Sequence, residues 1–340
     1  MSSDTRGTDS TDDNVLVTGA AGFIGSHLVT ELRSSGRNVV ALDRKPFPDD
    51  LGSPSSGLFG SLRTIRGDLN SLHLADCLEN TSTVFHLAAL PGVRPSWTQF
   101  PEYLQCNVLA TQRLLDACVQ AGVERVVVAS SSSVYGGADG AMSEDDLPRP
   151  LSPYGVTKLA AERLALAFAA RDDAKLSVGA LRFFTVYGPG QRPDMFISRL
   201  IRSTLCNEPV EIYGDGTQLR DFTHVSDVVR ALVLAAAVRD RGSAVLNIGT
   251  GNAVSVNEVV SMTAELTGSR PRTSYGAARI GDVRSTTADV RRAAGVLGFT
   301  ARTGLRKGLA TQIESTRRSL AREAQDAVAV DGFTASAPRL

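Results

Sequence analysis

Residues 15–32 read VLVTGAAGFIGSHLVTEL, and they combine a β-rich run, a glycine-rich turn and an amphipathic segment. The run Val15 to Thr18 is apolar and rich in β-branched residues, which is typical of a buried strand. After the turn, apolar residues recur at helical spacing, at Phe23, Ile24, Leu28 and Leu32. The stretch therefore predicts a strand, a tight turn and a helix in succession.

The same alternation continues over the first half of the chain. Apolar, β-rich runs predict further strands at 39–42, 62–65, 83–87, 126–129 and 177–181. Helical spacing of apolar residues predicts helices at 103–121 and 154–170. Strands that alternate with amphipathic helices indicate a parallel sheet covered on both faces, so we predict an α/β fold.

Beyond Arg182 the pattern becomes less regular. Glycine-rich turns lie at 188–190 and 214–216, and we predict short strands at 210–213 and 245–248. This composition indicates a smaller and less regular second domain.

The predicted domain boundaries follow from these patterns. The first domain covers residues 14–181 and the second covers residues 182–321. The segment 217–243, which contains a predicted helix, is expected to return to the first domain, so the boundary is discontinuous. The polar ends, 1–13 and 322–340, are expected to be tails, disordered at the amino end and loose at the carboxyl end.

Composition and charge exclude several classes of protein. The 340 residues are 42% hydrophobic and contain 36 basic and 36 acidic residues. Such a chain can bury a sizeable core, and it has no basic field to attract nucleic acid or an anionic membrane. Its longest apolar stretch, Ala231 to Val238, is far shorter than the roughly 20 residues that span a bilayer. We therefore expect neither nucleic-acid nor membrane partners.

The amino-terminal segment and the cysteine and histidine positions bear on location and metal binding. Residues 1–14 lack the apolar core of a signal peptide, so we expect a cytoplasmic protein. The cysteines form no CxxC pair and the histidines have no metal-ligand spacing, so we expect free thiols and no structural metal. These residues are Cys77, Cys106, Cys118 and Cys206, and His27, His73, His86 and His224.

The glycine-rich turn spaces Gly19, Gly22 and Gly25 as GxxGxxG between the first strand and the first helix. Missing side chains let the backbone approach a pyrophosphate that lies on the helix N-terminus. Asp43 ends the second strand about 20 residues further on, where a carboxylate can accept hydrogen bonds from both adenosine ribose hydroxyls. Because it would repel a 2′-phosphate, we predict NAD rather than NADP, although the adjacent Arg44 weakens that preference. Asp43 could instead be an ordinary strand-end cap.

Tyr154 and Lys158 open a predicted helix at a spacing that puts both side chains on one face. A free tyrosine has a pKa of about 10. A neighbouring ammonium and a positive nicotinamide ring would stabilise the phenolate, which makes Tyr154 a candidate general base at neutral pH. The serines at 130–133 follow the strand at 126–129, at the strand end where ligands of open α/β sheets bind. They would supply hydroxyl donors, or they form an ordinary solvated loop.

Four motifs occur in a definite order: GxxGxxG, His86-Leu-Ala-Ala89, the serine run and YxxxK. In this order they resemble the extended short-chain dehydrogenase/reductases that act on nucleotide sugars, over about residues 14–320. The resemblance implies a Rossmann-type doubly wound sheet for NAD and a smaller, mixed α/β carboxyl-terminal domain for the sugar nucleotide. It also implies that Lys158 holds the nicotinamide ribose. The implied cofactor contacts are Gly19, Gly22, Phe23, Ile24, Gly25, Asp43, Arg44, Asp68, Leu69, Leu87, Ala88, Ala89, Tyr154 and Lys158.

Two later segments, RDFTHV and ARIGD, look like the family's elements for the diphosphate and the uridine ribose. The substrate contacts that they imply are Arg220, Arg279 and Asp282. For Arg220, a surface ion pair with Asp221 is the alternative.

The serine segment separates subgroups of this family. Members that dehydrate or decarboxylate the sugar usually carry an acidic residue just before Val-Tyr-Gly, where this chain has Ser132 and Ser133. Without that acid, elimination chemistry lacks its catalyst. The stretch at 181–195, with that at 91–94, is similar to UDP-glucuronic acid 4-epimerases, whereas glucose 4-epimerases usually have Asn at the position of Thr185. The implied substrate contacts are Pro91, Gly92, Arg94, Ser131, Ser132, Ser133, Thr185 and Arg192, and the implied catalytic residues are Tyr154, Lys158 and Ser132.

Our hypothesis is an NAD-dependent 4-epimerase that interconverts UDP-glucuronic acid and UDP-galacturonic acid. Tyr154 would take the proton of the sugar 4-OH while hydride moves to tightly bound NAD, and hydride would return to the other face of the 4-keto sugar. This intermediate is a β-keto acid, so its carboxylate must be held out of alignment for decarboxylation. Thr185 and Ser132 are the first candidates for holding it, with charge from Arg192.

Other functions remain open. A UDP-glucose 4-epimerase and a UDP-glucuronate decarboxylase are the rival enzymes. An NAD-sensing binding protein is the non-enzymatic rival, although it would need neither Tyr154 nor Lys158. The helices predicted at 103–121 and 154–170 could form the seam of a homodimer, which we expect, or they could cover their own sheet.

Overall fold

The computed structural model describes residues 13–53, 59–137, 140–238, 242–278 and 283–334. Its strands are β1 (Asn14–Thr18), β2 (Asn38–Asp43), β3 (Leu62–Arg66), β4 (Thr81–His86), β5 (Arg125–Ser131), β6 (Ala141–Met142), β7 (Ser177–Phe183), β8 (Thr185–Tyr187), β9 (Pro209–Tyr213), β10 (Leu219–His224), β11 (Ala244–Ile248), β12 (Ala253–Ser255), β13 (Arg272–Gly276) and β14 (Ser285–Ala288). Its helices are α1 (Phe23–Ser34), α2 (Phe100–Leu104), α3 (Ala110–Ala121), α4 (Pro153–Ala169), α5 (Phe196–Leu205), α6 (Val225–Ala237), α7 (Val256–Thr267), α8 (Arg291–Leu297) and α9 (Leu305–Thr334). A π-helical turn, Gln105–Leu109, joins α2 to α3.

Seven parallel strands form the larger sheet, in the order β11-β7-β5-β4-β1-β2-β3. Leu16 of β1 pairs with Val40 of β2 on one side and with Val84 of β4 on the other. The strand order reverses between β1 and β4, and ligands of such sheets bind outside the carboxyl ends of the strands at that point. The predicted α/β fold with a doubly wound parallel sheet is confirmed.

Alternate residues of β1 face two separate apolar cores. Val17 packs on one face with Leu28 of α1 and Leu232 of α6. Leu16 packs on the other face with Leu114 of α3. All five side chains are fully buried, and burial of each contributes about 1.5–3 kcal/mol. Because helices cover both faces, the strands β1, β2 and β5 carry continuous apolar runs rather than alternating apolar and polar residues.

A smaller sheet has the order β12-β10-β14-β6, with β8 also paired to β10, and β9 pairs separately with β13. Side chains from α5, α7 and α9 form an apolar core with this part of the molecule, which includes Tyr187, Ile197, Phe222, Val259 and Leu309. This core brings the carboxyl-terminal half of the chain together beside the larger sheet.

The chain crosses between the two sheets more often than the predicted boundaries allow. β11, expected in the second domain, pairs with β7 at the edge of the larger sheet, whereas β10, inside the returning segment 217–243, belongs to the smaller sheet. β6 also pairs in the smaller sheet. Parallel pairing of β11 with β7 requires a crossover back to the amino end of the sheet, and α6 supplies it. The division into a cofactor domain and a substrate domain stays a prediction.

The carboxyl-terminal end differs from the prediction. Residues 322–334, expected to be a loose tail, continue α9, so this part of the prediction is wrong. Ala, Glu and Arg in this segment favour helix, and Arg202 of α5 donates to Glu323 of α9 at 3.1 and 2.9 Å. The predicted tails at 1–12 and 335–340 lie outside the described residues.

The described residues also bear on membranes and metals. Among them, no helix combines the length and the apolar character that crossing a membrane requires. Within the same ranges, no three His, Cys, Asp or Glu side chains are grouped so that they could hold a metal ion. The four cysteines are free, and Cys77 and Cys118 are buried.

Candidate active site

The glycine-rich turn packs its backbone against the end of β4. A Cβ at Gly19 would lie 2.7 Å from the backbone nitrogen of Ala88, and the φ of +71° at Gly19 is one that other residues rarely adopt. A Cβ at Gly25 would lie 2.1 Å from the carbonyl oxygen of Gly19. Gly22 is the N-cap of α1 and has no side chain to occupy the first-turn N–H groups, which suits an anion. The turn therefore fits the pyrophosphate of a dinucleotide.

Asp43 lies at the carboxyl end of β2 and is buried. Its carboxylate accepts hydrogen bonds from the backbone N–H groups of Ala21, at 3.0 Å, and Lys45, at 2.9 Å. Asp43 is therefore a strand-end cap that also holds the glycine-rich turn. Because a carboxylate has about four lone-pair sites, it keeps acceptor capacity for a ribose hydroxyl, so the two interpretations of Asp43 are compatible.

The residues predicted to lie near adenine follow β3 at the same edge. The backbone N–H of Gly67 donates to the carbonyl of Asp43 at 2.9 Å, which brings Asp68 and the buried Leu69 beside β2. Arg44 lies there too, with Nη1 3.4 Å from the Sγ of Cys106. This edge thus combines an apolar side chain with polar groups, as the adenosine half of NAD requires.

His86 is a buried structural histidine at the end of β4. Its Nδ1 is 2.8 Å from the hydroxyl of Thr18, and its Nε2 is 2.8 Å from the hydroxyl of Thr111. Thr111 donates its own proton to the carbonyl of Asn107 at 2.7 Å, so Nε2 carries the ring proton and Nδ1 accepts from Thr18. Burial, with a smaller effect from the charge of Lys158, lowers the pKa of His86 to about 3.

Thr18 and Asn107 also fix the chain that follows β4, and Asn107 does so by accepting from the N–H of Leu90. Thr18 accepts from the N–H of Ala88 at 3.2 Å and its carbonyl accepts from the N–H of Leu87 at 3.2 Å. The segment Leu87 to Ala89, predicted to contact the cofactor, is therefore held against the end of β1, opposite the glycine-rich turn.

Local sequence explains why α4 presents Tyr154 and Lys158 together. Ser152 is the N-cap, its hydroxyl accepts from the N–H of Gly155 at 3.1 Å, and Pro153 occupies the first helical position. One turn separates Tyr154 from Lys158, so both lie on the face that packs toward β5. This confirms the predicted helix start to within one residue.

Burial dominates the electrostatics of the pair. It raises the pKa of Tyr154, against the opposing effects of a hydrogen bond from Ser131 and the positive charge of Arg192. It also lowers the pKa of Lys158 to about 8, against the opposing charge of Glu162. From the sequence we expected a phenol pKa low enough for Tyr154 to act as a base. The surrounding protein groups do not by themselves outweigh burial, so further positive charge must offset its effect on the pKa.

The serine run divides between two sides of the strand end. Ser131 acts on the phenol of Tyr154, whose pKa it lowers, and accepts from the N–H of Ser133 at 3.1 Å. Ser130 instead donates to Glu162 at 2.7 Å, behind the site. The geometry favours Ser131 over Ser132 as the partner of Tyr154, because the extended backbone at Ser131 turns into a 3-10 turn at Ser132.

Two residues that the sequence analysis missed support this arrangement. The buried side chain of Asn107, in the π-helical turn, accepts from the N–H of Leu90 at 2.7 Å and donates to the hydroxyl of Thr157 at 3.0 Å. Tyr103 donates to the carbonyl of Pro91 at 2.8 Å and packs edge-on against Tyr154. The single asparagine in the predicted helix at 103–121 was the available signal for Asn107.

The predicted substrate residues after β4 form a loop that reaches the carboxyl-terminal half. Gly92, with a φ of +109°, and Pro91 are held by Tyr103. The guanidinium of Arg94 stacks over the ring of Tyr213 at the end of β9, with 4.1 Å between Cζ and the ring centroid. This stacking connects the loop with the part of the chain predicted to bind substrate.

Thr185 and Arg192 lie beyond the end of β7. In the larger sheet Ser131 of β5 pairs with Phe183 of β7, so Thr185 follows directly beside the serine run. Arg192 forms an ion pair with Asp194, and its charge acts on both Tyr103 and Tyr154. The structure thus brings Arg192, Tyr154 and Ser131 together, with Thr185 at the neighbouring strand end.

Of the last group of predicted substrate residues, Arg220, Arg279 and Asp282, only Arg220 lies within the described residues. Arg220 lies on β10, while the adjacent Asp221 is fully buried and accepts from the N–H groups of Thr250, at 2.8 Å, and Gly251, at 2.9 Å. Asp221 is therefore not a surface group, and the surface-pair alternative for Arg220 is wrong on that point. Arg279 and Asp282 lie outside the described residues.

Comparisons with known proteins agree with this geometry. The model of the NAD dependent epimerase/dehydratase family matches residues 15–249. MoeE5, solved with UDP-glucuronic acid and NAD and also with UDP-glucose and NAD, is 86% identical, has a TM-score of 0.86, and is matched over 90% of this chain and 99% of MoeE5. UDP-glucuronic acid 4-epimerase from Bacillus cereus, solved with UDP-glucuronic acid and NAD, is 38% identical, has a TM-score of 0.83, and is matched over 90% of this chain and 99% of its own.

A curated relative from Bacillus subtilis, the uncharacterized UDP-glucose epimerase YtcB, is 40% identical over 88% of this chain and 96% of its own length. The family match, the doubly wound sheet and the glycine-rich turn agree on one cofactor. Because the family model covers more than half of the chain, the chain belongs to the NAD-dependent epimerase/dehydratase family, the predicted extended short-chain dehydrogenase/reductases, and NAD is its cofactor.

Proposed function

We propose that this protein is a UDP-sugar 4-epimerase, an isomerase, and that it interconverts UDP-glucuronic acid and UDP-galacturonic acid without decarboxylation. The observation that carries the proposal is that Tyr154 faces hydroxyls and cations. Ser131 and Arg192 act on its phenol, and Lys158 lies one turn along the same helix face. Such a site suits removal and return of a hydroxyl proton, and it supplies no acid for elimination.

The carboxylates around these residues are engaged elsewhere. Glu162 forms a bidentate ion pair with Arg182, and Asp194 pairs with Arg192. A carboxylate held by a guanidinium is a weak base, so neither is suited to proton transfer at a sugar carbon. This supports epimerisation over dehydration as the reaction.

In the proposed reaction the phenolate oxygen of Tyr154 takes the proton of the sugar 4-OH. Ser131 donates a hydrogen bond to that oxygen, and the ammonium of Lys158 lies on the same face to stabilise its charge. When bound, NAD accepts the hydride of C4 and gives it back. Tyr154 then returns the proton to the 4-oxygen, so the protein ends each turnover in its starting protonation state.

The keto sugar formed from UDP-glucuronic acid is a β-keto acid, and it loses carbon dioxide only when the breaking bond aligns with the carbonyl π system. We propose that Thr185, Ser132 and Ser133 hold the carboxylate out of that alignment. Arg192 lies near Tyr154 and would supply positive charge through the N–H groups that its ion pair with Asp194 leaves unused.

UDP-glucose is the second candidate substrate. MoeE5 has been solved with UDP-glucose as well as with UDP-glucuronic acid, and YtcB is named a UDP-glucose epimerase. A hydroxymethyl group occupies nearly the volume of a carboxylate, so the site would admit both sugars and distinguish them by charge at Arg192.

The first experiment incubates the purified protein with UDP-glucuronic acid, without added cofactor, and separates the products by anion exchange with mass detection. A product of unchanged mass that elutes as UDP-galacturonic acid supports the proposal and indicates retained NAD. Loss of carbon dioxide would indicate a decarboxylase. If UDP-glucose reacts and UDP-glucuronic acid does not, the second candidate replaces the first. If neither sugar is converted, even with NAD added, the result would favour an NAD-sensing protein.

We also propose a homodimer, formed by a second copy on one apolar face. Trp97, Phe100, Leu151 and Val156 line a shallow groove there, and the side chain of Trp97 is 53% exposed. Contiguous exposed apolar side chains of this size mark an interaction surface. Light scattering after size exclusion tests it, because Val156→Arg should convert a dimer into a monomer. The cytoplasmic location expected from the sequence stays a prediction.

A further inference from the structure

A third buried polar residue follows Tyr154 and Lys158 on α4. Glu162 lies one turn beyond Lys158 and is fully buried. One carboxylate oxygen, Oε2, accepts from the Oγ of Ser130 at 2.7 Å and from the Nε of Arg182 at 2.9 Å. The other, Oε1, accepts from the Nη2 of Arg182 at 2.7 Å. Both oxygens of Glu162 are thus held on the side of the sheet.

Arg182 is itself fixed on β7. Its side chain is fully buried, and its guanidinium lies over the ring of Tyr135, with 4.7 Å between Cζ and the centroid. Tyr135 in turn donates to the amide oxygen of Asn247 on β11 at 2.7 Å. The ion pair is therefore held by three neighbouring strands of the larger sheet rather than by flexible loops.

A buried ion pair is a poor source of stability. Desolvation of the two charges offsets most of their attraction, and apolar replacement of such pairs is often neutral or stabilising. The location of this pair is more informative than its energy. Tyr154, Lys158 and Glu162 recur every four residues, so the carboxylate lies along the same helix face as the ammonium of Lys158.

We propose that Glu162 and Arg182 are positioning residues that act through Lys158. The negative end of the pair keeps the Lys158 ammonium charged in the buried site. Arg182 occupies both carboxylate oxygens, which prevents Lys158 from turning away from the active site to form its own ion pair with Glu162. This inference rests on the proposed function, in which Lys158 supports Tyr154.

Other charged or titratable groups lie near Lys158 or near Tyr154 and Glu162 on the same helix. His86 on β4 is neutral, Tyr103 on α2 packs against Tyr154, and Arg192 with Asp194 lies beyond β8. On α4 itself, the exposed Arg163 has its Nε 3.9 Å from Glu162. The variants below leave all of these groups in place.

Lysine NMR tests the inference without relying on turnover. The chain contains four lysines, Lys45, Lys158, Lys175 and Lys307, so ε-¹³C-lysine labelling gives few signals. The signal that is missing from the spectrum of Lys158→Met is the signal of Lys158. We expect Glu162→Gln to lower the pKa of Lys158 by about one unit, because Arg182 is left unpaired beside it. Arg182→Met should raise it, because Glu162 is left unpaired. The double variant should fall between the wild type and Glu162→Gln.

Ser130→Ala is the matched control, because it removes a hydrogen bond to Glu162 without changing charge, and it should leave the pKa of Lys158 in place. The pH profile of whichever UDP-sugar the wild type converts should move with the lysine, downward for Glu162→Gln and upward for Arg182→Met. A purely structural role would lower activity in both variants without opposite shifts in pH.

Two results would overturn the inference. One is an unchanged pKa of Lys158 in the folded single variants, and the other is a shift in the same direction in both. If the single variants do not fold, the double variant is the test, because it buries no unpaired charge. An unchanged pKa of Lys158 in the double variant would also overturn the inference. Because the titration needs no substrate, failure of the proposed epimerase activity would not be mistaken for failure of this inference.

Discussion

The side-chain hydroxyl of Ser131, at the carboxyl end of β5, acts on the phenol of Tyr154 on α4 and lowers its pKa, and Ser131 at the same time accepts from the N–H of Ser133. Accepting from that N–H leaves the hydroxyl proton of Ser131 available to the phenol oxygen. A donor at this place stabilises the phenolate and opposes the effect of burial, which raises the pKa of Tyr154. Ser131 thereby becomes our candidate for the role that the sequence analysis assigned to Ser132.

We expect Ser131→Ala to lower kcat by about 100-fold, the loss typical of removing one hydrogen-bond donor from a developing charge. Loss of the donor raises the pKa of Tyr154 further, so the acidic limb of the pH–rate profile should move to higher pH. Ser132→Ala is the matched control and should cost far less in kcat. Equal losses from the two substitutions would return Ser132 to the catalytic role.

Tyr154→Phe should lower turnover by at least about 1000-fold, because it removes the proposed general base. The variant keeps the ring and its edge-on contact with Tyr103, so it should fold normally and retain NAD. Absorbance of bound cofactor after denaturation, measured beside turnover, separates these effects. Substantial remaining turnover would show that another group takes the proton.

Lys158→Met should stabilise the protein at pH 7 while abolishing activity. Burial lowers the pKa of Lys158 from 10.5 to about 8, so below pH 8 the folded state holds a poorly solvated ammonium. We expect a gain of about 3 kcal/mol in the free energy of unfolding at pH 7. The gain should shrink as the pH rises from 8 toward 10.5, because the folded state then binds fewer protons than the unfolded state.

Urea unfolding at pH 7 and at pH 9.5 measures this difference, and Lys175→Met at an exposed lysine is the control. No gain at pH 7, or a gain that grows with pH, would contradict the burial cost assigned to Lys158.

His86→Gln should flatten the pH dependence of stability on the acid side. Burial lowers the pKa of His86 from 6.5 to about 3, so the unfolded chain binds the additional proton between these values. The stability that neutral His86 contributes is therefore complete above pH 6.5 and is lost toward pH 3, at up to about 1.4 kcal/mol for each pH unit. Urea unfolding between pH 7 and 4.5 measures the slope.

Thr185→Val should raise KM for UDP-glucuronic acid by about 10-fold, because a hydrogen bond to a charged group is lost. The carboxylate would be held less firmly, so some 4-keto intermediate should lose carbon dioxide and appear as UDP-4-keto-pentose. Thr185→Ser keeps the hydroxyl and should behave like the wild type. Mass detection of the products checks both, and unchanged binding and products in Thr185→Val would remove the proposed role of this residue.

The sequence predicted the sheet and the cofactor turn well because both depend on local patterns. Apolar runs such as Val126 to Ala129 must be strands covered on both faces, and the structure has them in the larger sheet. The helix predicted at 103–121 was found, but its π-helical turn was not foreseen. Within that turn Asn107 forms hydrogen bonds with Leu90 and Thr157, which are remote in the sequence.

Residue spacing by itself determined that Tyr154 and Lys158 share a helix face and that Gly19, Gly22 and Gly25 form a turn without side chains, because these relations are set within a few residues. Only the tertiary structure decided which serine meets Tyr154, because that depends on how β5 ends beside α4. It also paired Glu162 with Arg182, and it assigned β10 and β11 to different sheets. Those outcomes depend on contacts between distant segments, which periodicity and spacing do not encode.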